Sequence, residues 1–376
     1  MIYLTYNDSP SGIFSSQAVD VCRFLNKKFD AKVRLVSIIS IRDFSQNKRK
    51  IKSEIPDAIV LPMFPKLKNW KWNFYTLIVF FSFLNTNKII ARGPFAASLA
   101  LSLKKIGIIK WVCFDSRGAS AAEMNEYNVT DNKKIKKNIF LIEKNAVTHS
   151  DFRMAVSHEL VKYWRDAFEY NIEKHVVIPC TLNSHIFKNY PPPSFINKNR
   201  NEMGFSNEDI VLAYSGSSAG WQSLKLLDEF LHAQMKQNKK IKVILLLKSL
   251  PANMKIMEEY KNRIVCKWLN EDKVPVILSC CDYGILIREK SVTNKVSSPV
   301  KFAEYLACGL KIIISGEIGD YSEFVTRHEC GFVLSNPNQP LQLNPIPLAE
   351  KQKLSLLAIN NFSKEVNADR YQKIIK

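Results

Sequence analysis

Short runs of β-branched and aliphatic residues recur along the chain. Between most of them apolar residues return every three to four positions, as in Ile13–Leu25 and Phe95–Lys104. The first spacing predicts buried strands and the second predicts helices with one apolar face. Strands are expected at Ile2–Tyr6, Lys32–Ile39, Ala58–Met63, Lys88–Arg92, Lys110–Asp115, Arg153–Val156 and Val176–Ile178. Neither period survives in the polar stretch 188–208, which contains Pro191-Pro192-Pro193. The alternation then restarts with Ile210–Ser215, Lys242–Leu247, Arg263–Trp268, Tyr283–Ile287 and Lys311–Ile314. Such alternation predicts an α/β protein with two parallel, doubly wound domains, at 1–183 and 184–350. Residues 351–376 show no strand and read as helices that pack back on the first domain.

Composition narrows the functional classes. A chain of 376 residues that is 46% hydrophobic can bury two cores, which excludes a disordered, collagen-like or small disulfide-stapled protein. The 54 Lys+Arg against 35 Asp+Glu leave a net charge of +19, which fits nucleic acid, a membrane surface or an anionic small molecule. Of the basic residues 41 are lysine, in a chain also rich in Asn and Ile, so much of the charge reads as compositional bias. No helix concentrates arginine with interleaved aromatics, and nucleic acid is not an expected partner. The eight cysteines form no C-x-x-C pair, and the six histidines show no metal-ligand spacing. Reduced thiols in a cytoplasmic protein are the expectation.

No secretory leader is legible in Met1-Ile-Tyr-Leu-Thr-Tyr-Asn. The longest apolar run, Trp72–Leu84, is short of the ~20 residues that span a bilayer. Lys66, Lys68 and Lys71, with Trp70 and Trp72 among them, lead into this run. It reads either as an interfacial segment on the anionic inner face of a membrane or as a buried core helix.

In open α/β sheets ligands bind beyond the carboxyl ends of strands, where helix N-termini hold anions. After the first strand, Ser11, Gly12, Ser15 and Gln17 lie in a small-residue loop entering a helix. They form either an ordinary capped turn or a ligand-holding loop. Arg92 ends the fourth strand, Asp115 and Arg117 the fifth, and Glu123 follows a turn later. These charged groups read as a polar substrate site, with a structural Arg–Asp brace as the alternative. In the second half Gly216 and Ser217 open a Gly/Ser-rich turn that is neither G-x-G-x-x-G nor a Walker A sequence. Arg288 and Glu289 leave the strand Tyr283–Ile287, and Lys248 follows an earlier one. Ser298 as N-cap and Pro299 at the first helical position predict a helix ending at Gly309, with Lys301 and Glu304 three apart on one edge. A helix start of this kind beside Arg288 suits a diphosphate, and Glu304 can accept hydrogen bonds from a ribose.

Three segments together carry a family resemblance: Val156-Ser157-His158-Glu159-Leu160, Val177-Ile178-Pro179-Cys180, and Ser298-Pro299-x-Lys301-x-x-Glu304-Tyr-Leu-Ala-x-Gly. With the two-domain pattern, the chain resembles bacterial GT-B glycosyltransferases of the retaining family 4 type, over essentially its whole length. The resemblance implies two Rossmann-like domains facing across a cleft, the first binding an acceptor and the second a nucleotide-sugar. It implies a retaining, metal-independent hexosyltransferase of cell-surface polysaccharide synthesis. Such an enzyme needs no cofactor beyond its nucleotide-diphospho-sugar donor and acts on a saccharide or lipid-linked saccharide. No Asp-x-Asp occurs in the sequence.

The resemblance also assigns roles. It implies that Glu304 binds the donor ribose and that the Ser298-Pro299 helix start holds the diphosphate. Gly216, Ser217, Lys248, Arg288, Glu289 and Lys301 complete the donor set. From their places at the strand ends, and not from the resemblance, Asp115, Arg117 and Glu123 are expected to orient the acceptor for catalysis, and Ser11, Gly12, Ser15, Gln17 and Arg92 to bind it. The chain departs from the family in three places. The Gly216–Gly220 turn lacks the usual arginine, so Arg288, Lys248 or Lys301 substitutes. Val296 stands where the family has a first glutamate, and Asp115-Ser116-Arg117-Gly118 replaces its first-domain histidine. A sugar-nucleotide 2-epimerase shares this architecture and is the rival reading.

Overall fold

The structure is a computed structural model that describes all residues except 66, 83, 85, 184, 188, 189, 218, 250–253 and 376. The chain forms two compact units, Met1–Asn183 with Asn367–Lys376, and Ser184–Val366.

The first unit is built on seven strands: β1 (Ile2–Tyr6), β2 (Arg34–Ile39), β3 (Ile59–Pro62), β4 (Lys88–Arg92), β5 (Trp111–Ser116), β6 (Phe152–Ala155) and β7 (His175–Val177). They pair in parallel in the order β3-β2-β1-β4-β5-β6-β7. All five residues of β1 are buried, as a central parallel strand covered by helices on both faces requires. β2 begins two residues later than the pattern predicts, because Lys32 adopts φ 50° and cannot extend the strand. The helix expected over Ile13–Leu25 is interrupted: Gly12–Phe14 is α-helical, Ser15–Val19 is a π turn, and Asp20–Phe29 is α-helical again.

The second unit holds β8 (Ile210–Ser215), β9 (Ile241–Leu246), β10 (Ile264–Lys267), β11 (Tyr283–Leu286), β12 (Lys311–Ser315) and β13 (Gly331–Leu334). These are also parallel, in the order β10-β9-β8-β11-β12-β13. β13 is a strand the sequence pattern does not predict; it is four residues long and opens on a glycine.

Each sheet therefore reverses its winding once, between β1 and β4 in the first unit and between β8 and β11 in the second. Crevices for ligands open beyond the strand ends at such reversals.

The C-terminal segment divides between the units. Helix Leu348–Phe362 belongs to the second, where the Phe362 ring meets Phe302 edge-on at 5.7 Å. Only 367–376 joins the first, with Tyr371 against Phe24 at 5.4 Å and Ile374 in the same core. The return expected of 351–376 is thus confined to its last part. The reason is visible in the packing, since Phe362 completes the aromatic group of Phe302, Tyr321 and Phe324.

Candidate functional site

The helix Val300–Ala307 carries the densest candidate chemistry, and two contacts fix its position. The Tyr305 ring lies flat on β11 at Gly284, where a Cβ would come within 2.3 Å of it, so only glycine allows the approach. The Tyr305 hydroxyl then accepts from the Ser215 N–H at 2.8 Å, at the end of β8. The helix is held across the β8–β11 reversal by its own sequence.

Its start differs from the expectation. Pro299, not Ser298, is the N-cap, in extended geometry and with no side-chain capping bond. The Ser298 hydroxyl is instead bonded to the Tyr321 hydroxyl at 2.7 Å. That tyrosine is delivered by stacking on Phe302 with ring centroids 4.0 Å apart.

In the first turn, Lys301 reaches over the end of β8. Its Nζ lies 4.3 Å from the Tyr214 ring centroid and donates to Gln222 Oε1 at 2.7 Å. A Cβ at Gly216 would sit 2.9 Å from this nitrogen, so the lysine tip lies directly against the Gly/Ser turn. Burial, reinforced by the positive charge of Arg288 and opposed by Glu304, holds the Lys301 ammonium well below the ordinary lysine range. Burial, then the nearby Glu271, pushes Glu304 up to about 7, against the pull of Lys301.

Arg288 is 7% exposed; its Nη1 donates to Asn294 Oδ1 at 3.2 Å and to Ser297 Oγ at 3.4 Å. Gly216, Arg288, Lys301 and Glu304 thus converge at one strand-end crevice. A cluster holding two cationic side chains and a desolvated carboxyl has the chemistry to take a diphosphate with a hydroxylated sugar. Glu289 and Lys248 are exposed, Glu289 donating its backbone N–H to Ser223 Oγ at 3.0 Å. Ser217 accepts from the Ala219 N–H within the turn, and Ser218 lies outside the described residues.

The corresponding crevice of the first unit is closed on itself. Arg92 bridges β4 to the loop after β1 through Nε–Asp8 Oδ2 at 3.0 Å. Asp115 is fully buried, accepts from the Tyr3 hydroxyl, and faces Arg92 Nη1 at 3.7 Å and Arg117 Nη1 at 3.4 Å. Arg117 also donates to Gln17 Oε1 at 2.8 Å and to Cys180 Sγ at 2.9 Å. Burial opposes the charge on Arg117, yet Cys180 and Asp115 outweigh it and raise its pKa.

Several sequence expectations change here. Asp115 has no surface with which to touch a substrate and is paired with the two arginines instead. Gln17 is turned inward by the π turn and bonds the Thr181 carbonyl at 2.7 Å. Ser15 donates to Glu54 at 2.6 Å. Ser11 caps the following helix by accepting from Phe14 N–H at 3.3 Å. Gly12 and Arg117 remain partly accessible, as does Glu123, whose carboxyl is raised by burial.

One buried acid escaped the sequence reading. Glu143 accepts from the amides of Ser120 and Ala121 at 3.2 and 2.7 Å, and so holds the start of helix Ser120–Glu126. Burial outweighs these bonds and pushes it up to about 8, with Glu123 adding to the shift. Its signal lay in the sequence, because it continues the buried stripe Ile135, Ile139, Glu143 at helical spacing.

No family model matches the chain, and no curated protein sequence does. Solved structures do match. HepE of Anabaena, solved with UDP and glucose, is 14% identical with a TM-score of 0.70, covering 100% of this chain and 99% of its own. A glycosyltransferase from Rickettsia africae is 16% identical with a TM-score of 0.69, covering 100% and 98%. A protein of Listeria monocytogenes described as a UDP-N-acetylglucosamine 2-epimerase is 12% identical with a TM-score of 0.55, covering 100% and 90%. The likeness establishes the fold: two Rossmann-like, doubly wound units in one chain, the GT-B architecture.

Proposed function

We propose that this GT-B protein is a glycosyltransferase whose second unit binds a nucleotide-diphospho-sugar and whose first unit presents a saccharide acceptor. The observation that carries the reading is the convergence of Arg288, Lys301 and Glu304 at the β8–β11 reversal, beside a helix start with no side-chain cap. The amides of that start and the two cations suit a leaving diphosphate, and Glu304 suits the ribose hydroxyls. HepE, with the same fold, was solved with UDP and glucose, which supports a uridine nucleotide as the first donor to try.

The reaction we propose is retaining and needs no metal. The acceptor oxygen bonds to the anomeric carbon on the face from which the phosphate oxygen departs with its electron pair. The acceptor proton passes to that phosphate oxygen. Preorganised cations and amides stabilise the charge that builds there. Arg117 and Glu123, steadied by Asp115 and Glu143, are the groups of the first unit suited to orient the acceptor.

The acceptor is lipid-linked in this reading, and the protein works on the inner face of a membrane. Among the described residues no helix is long and apolar enough to cross a membrane. Trp72 and Tyr75 are each 62% exposed, which supports contact with a surface; Lys66 of the same segment lies outside the described residues.

The test is product analysis with a panel of nucleotide-sugars, with and without saccharide acceptors. Transfer that needs an acceptor and is lost in Glu304→Ala supports the reading. An epimerised sugar-nucleotide formed from donor alone favours the epimerase reading instead.

A further inference from the structure

The Lys301 amine rests on a neutral side chain, Gln222, and the turn that carries this residue is itself held in place. Gln222 closes the short turn Gly220–Gln222 after β8 and is 8% exposed. The next residue, Ser223, adopts φ 51°, and its hydroxyl accepts the Glu289 N–H at 3.0 Å, which ties the turn to the loop carrying Arg288. The side-chain oxygen of Gln222 then accepts twice, from the Tyr214 hydroxyl at 3.1 Å and from Lys301 Nζ at 2.7 Å. Tyr214 is 1% exposed, so a buried residue of β8 fixes the oxygen that receives the lysine. The Gln222 amide nitrogen has no hydrogen-bond partner among the described residues.

Lys301 forms no ion pair among the described residues. Arg288, from the loop after β11, acts against its charge, and Glu304, on its own helix, acts for it. Glu271 acts on Glu304 in turn, and Tyr214 presents its ring to the lysine. Burial is the largest influence and, with Arg288, holds the ammonium well below the ordinary lysine range. An amide oxygen at 2.7 Å places the nitrogen without balancing a charge, whereas a carboxylate at the same point would do both. An anion entering the crevice favours the protonated amine in the way that carboxylate would.

We infer that Gln222 is a positioning residue of this crevice, holding Lys301 against the Gly/Ser turn without neutralising it, so that a diphosphate binds together with a proton taken up by that amine. The lone pair of Nζ forms the new N–H bond with a proton from the solvent, and the ammonium so made meets a phosphate oxygen. The other residues of the cluster carry charges of their own, and Gln222 acts only through the lysine and its free amide. This inference rests on the diphosphate reading of the crevice, and adds to it a residue and a protonation step.

The experiment has two parts, both on the full chain. UDP is titrated calorimetrically from about pH 7.5 to about pH 9.5, above the range in which its terminal phosphate ionises and above the Glu304 value of about 7. The lysine amines of the ligand-free chain are followed by nuclear magnetic resonance of isotope-labelled side chains. In wild type one lysine should titrate well below the ordinary value of about 10.4. Its charge is present at low pH and lost as pH rises, so UDP affinity should fall about tenfold or more across the window. Gln222→Glu places an acid in the same shape; it should raise that one lysine, weaken UDP about tenfold or more at the low end, and flatten the pH profile. Gln222→Met keeps the length and removes the oxygen; it should leave the lysine low and weaken UDP about fivefold. Gln222→Glu with the lysine titration and pH profile of wild type would overturn the inference. So would Gln222→Met that binds UDP as tightly as wild type. UDP that fails to bind wild type strikes the diphosphate reading, while a lysine raised by Gln222→Glu in the ligand-free chain upholds the coupling of Gln222 to Lys301.

Discussion

The two sheets reverse their winding at equivalent places, and the chain fills the two crevices in opposite ways. At β1–β4, Asp8, Arg92, Asp115 and Arg117 set opposite charges against one another, with Tyr3 bonded to Asp115 and Gln17 to Arg117. At β8–β11, Lys301 leans on an amide oxygen and an aromatic face while burial, and then the second cation Arg288, lowers its affinity for a proton. Both clusters are charged, desolvated and at strand ends, so residue type alone does not separate them. The partners do: the first cluster sets acids against arginines around a loop, whereas in the second the two cations lie close enough for Arg288 to act on Lys301, an arrangement suited to an anion.

The contrast predicts that the two clusters respond differently to substitution. The largest effect should come from Asp115→Ala, which leaves Arg92 and Arg117 buried without their shared acid. A loss of about 3–5 kcal/mol in unfolding free energy by denaturant titration is expected. A loss below about 0.5 kcal/mol, the size of an ordinary surface change, would mean that the first cluster is not structural. Next, Glu304→Ala should weaken nucleotide-sugar binding by about 10- to 100-fold, the effect of a charged hydrogen bond, and should leave stability within about 0.5 kcal/mol. Equal damage to stability and binding would erase the distinction between the clusters.

A smaller effect, read as a pH slope, concerns Glu143. Its carboxyl is raised to about 8 by burial, so the folded chain holds a proton that the unfolded chain releases near pH 4.5. The stability this confers is complete below that pH and is lost as pH rises through about 8. Glu143→Gln should flatten the slope, as followed by melting temperature across pH 5–9 on the order of one scan per unit. An unchanged slope assigns the dependence elsewhere.

Much of the fold was legible because parallel strands buried on both faces read as continuous β-branched runs; β1, β4 and β8 fall where the pattern puts them. What failed had local causes. β13 is short and opens on glycine, and the π turn at Ser15–Val19 keeps helical periodicity while rotating Gln17 inward. That Lys301 and Glu304 lie together was legible because they are three apart on one helix edge. The role of Ser298 was not, since its partner Tyr321 is brought by stacking from a distant segment. Sequence likewise shows Asp115 beside Arg117 but not Tyr3, which closes the cluster from another strand. Pairing across strands decides between a brace and a binding site, and it is the information a single sequence carries least.

The central claim is that the β8–β11 crevice awaits a diphosphate, and calorimetric titration of nucleoside diphosphates into wild type and Lys301→Met tests it most directly. The account predicts that a nucleoside diphosphate binds wild type and loses affinity about tenfold or more in the variant, the effect of one charge-assisted contact. The variant should melt no lower than wild type, because it removes a desolvated amine. Binding unchanged in Lys301→Met, or a variant that unfolds more readily while affinity holds, would contradict it.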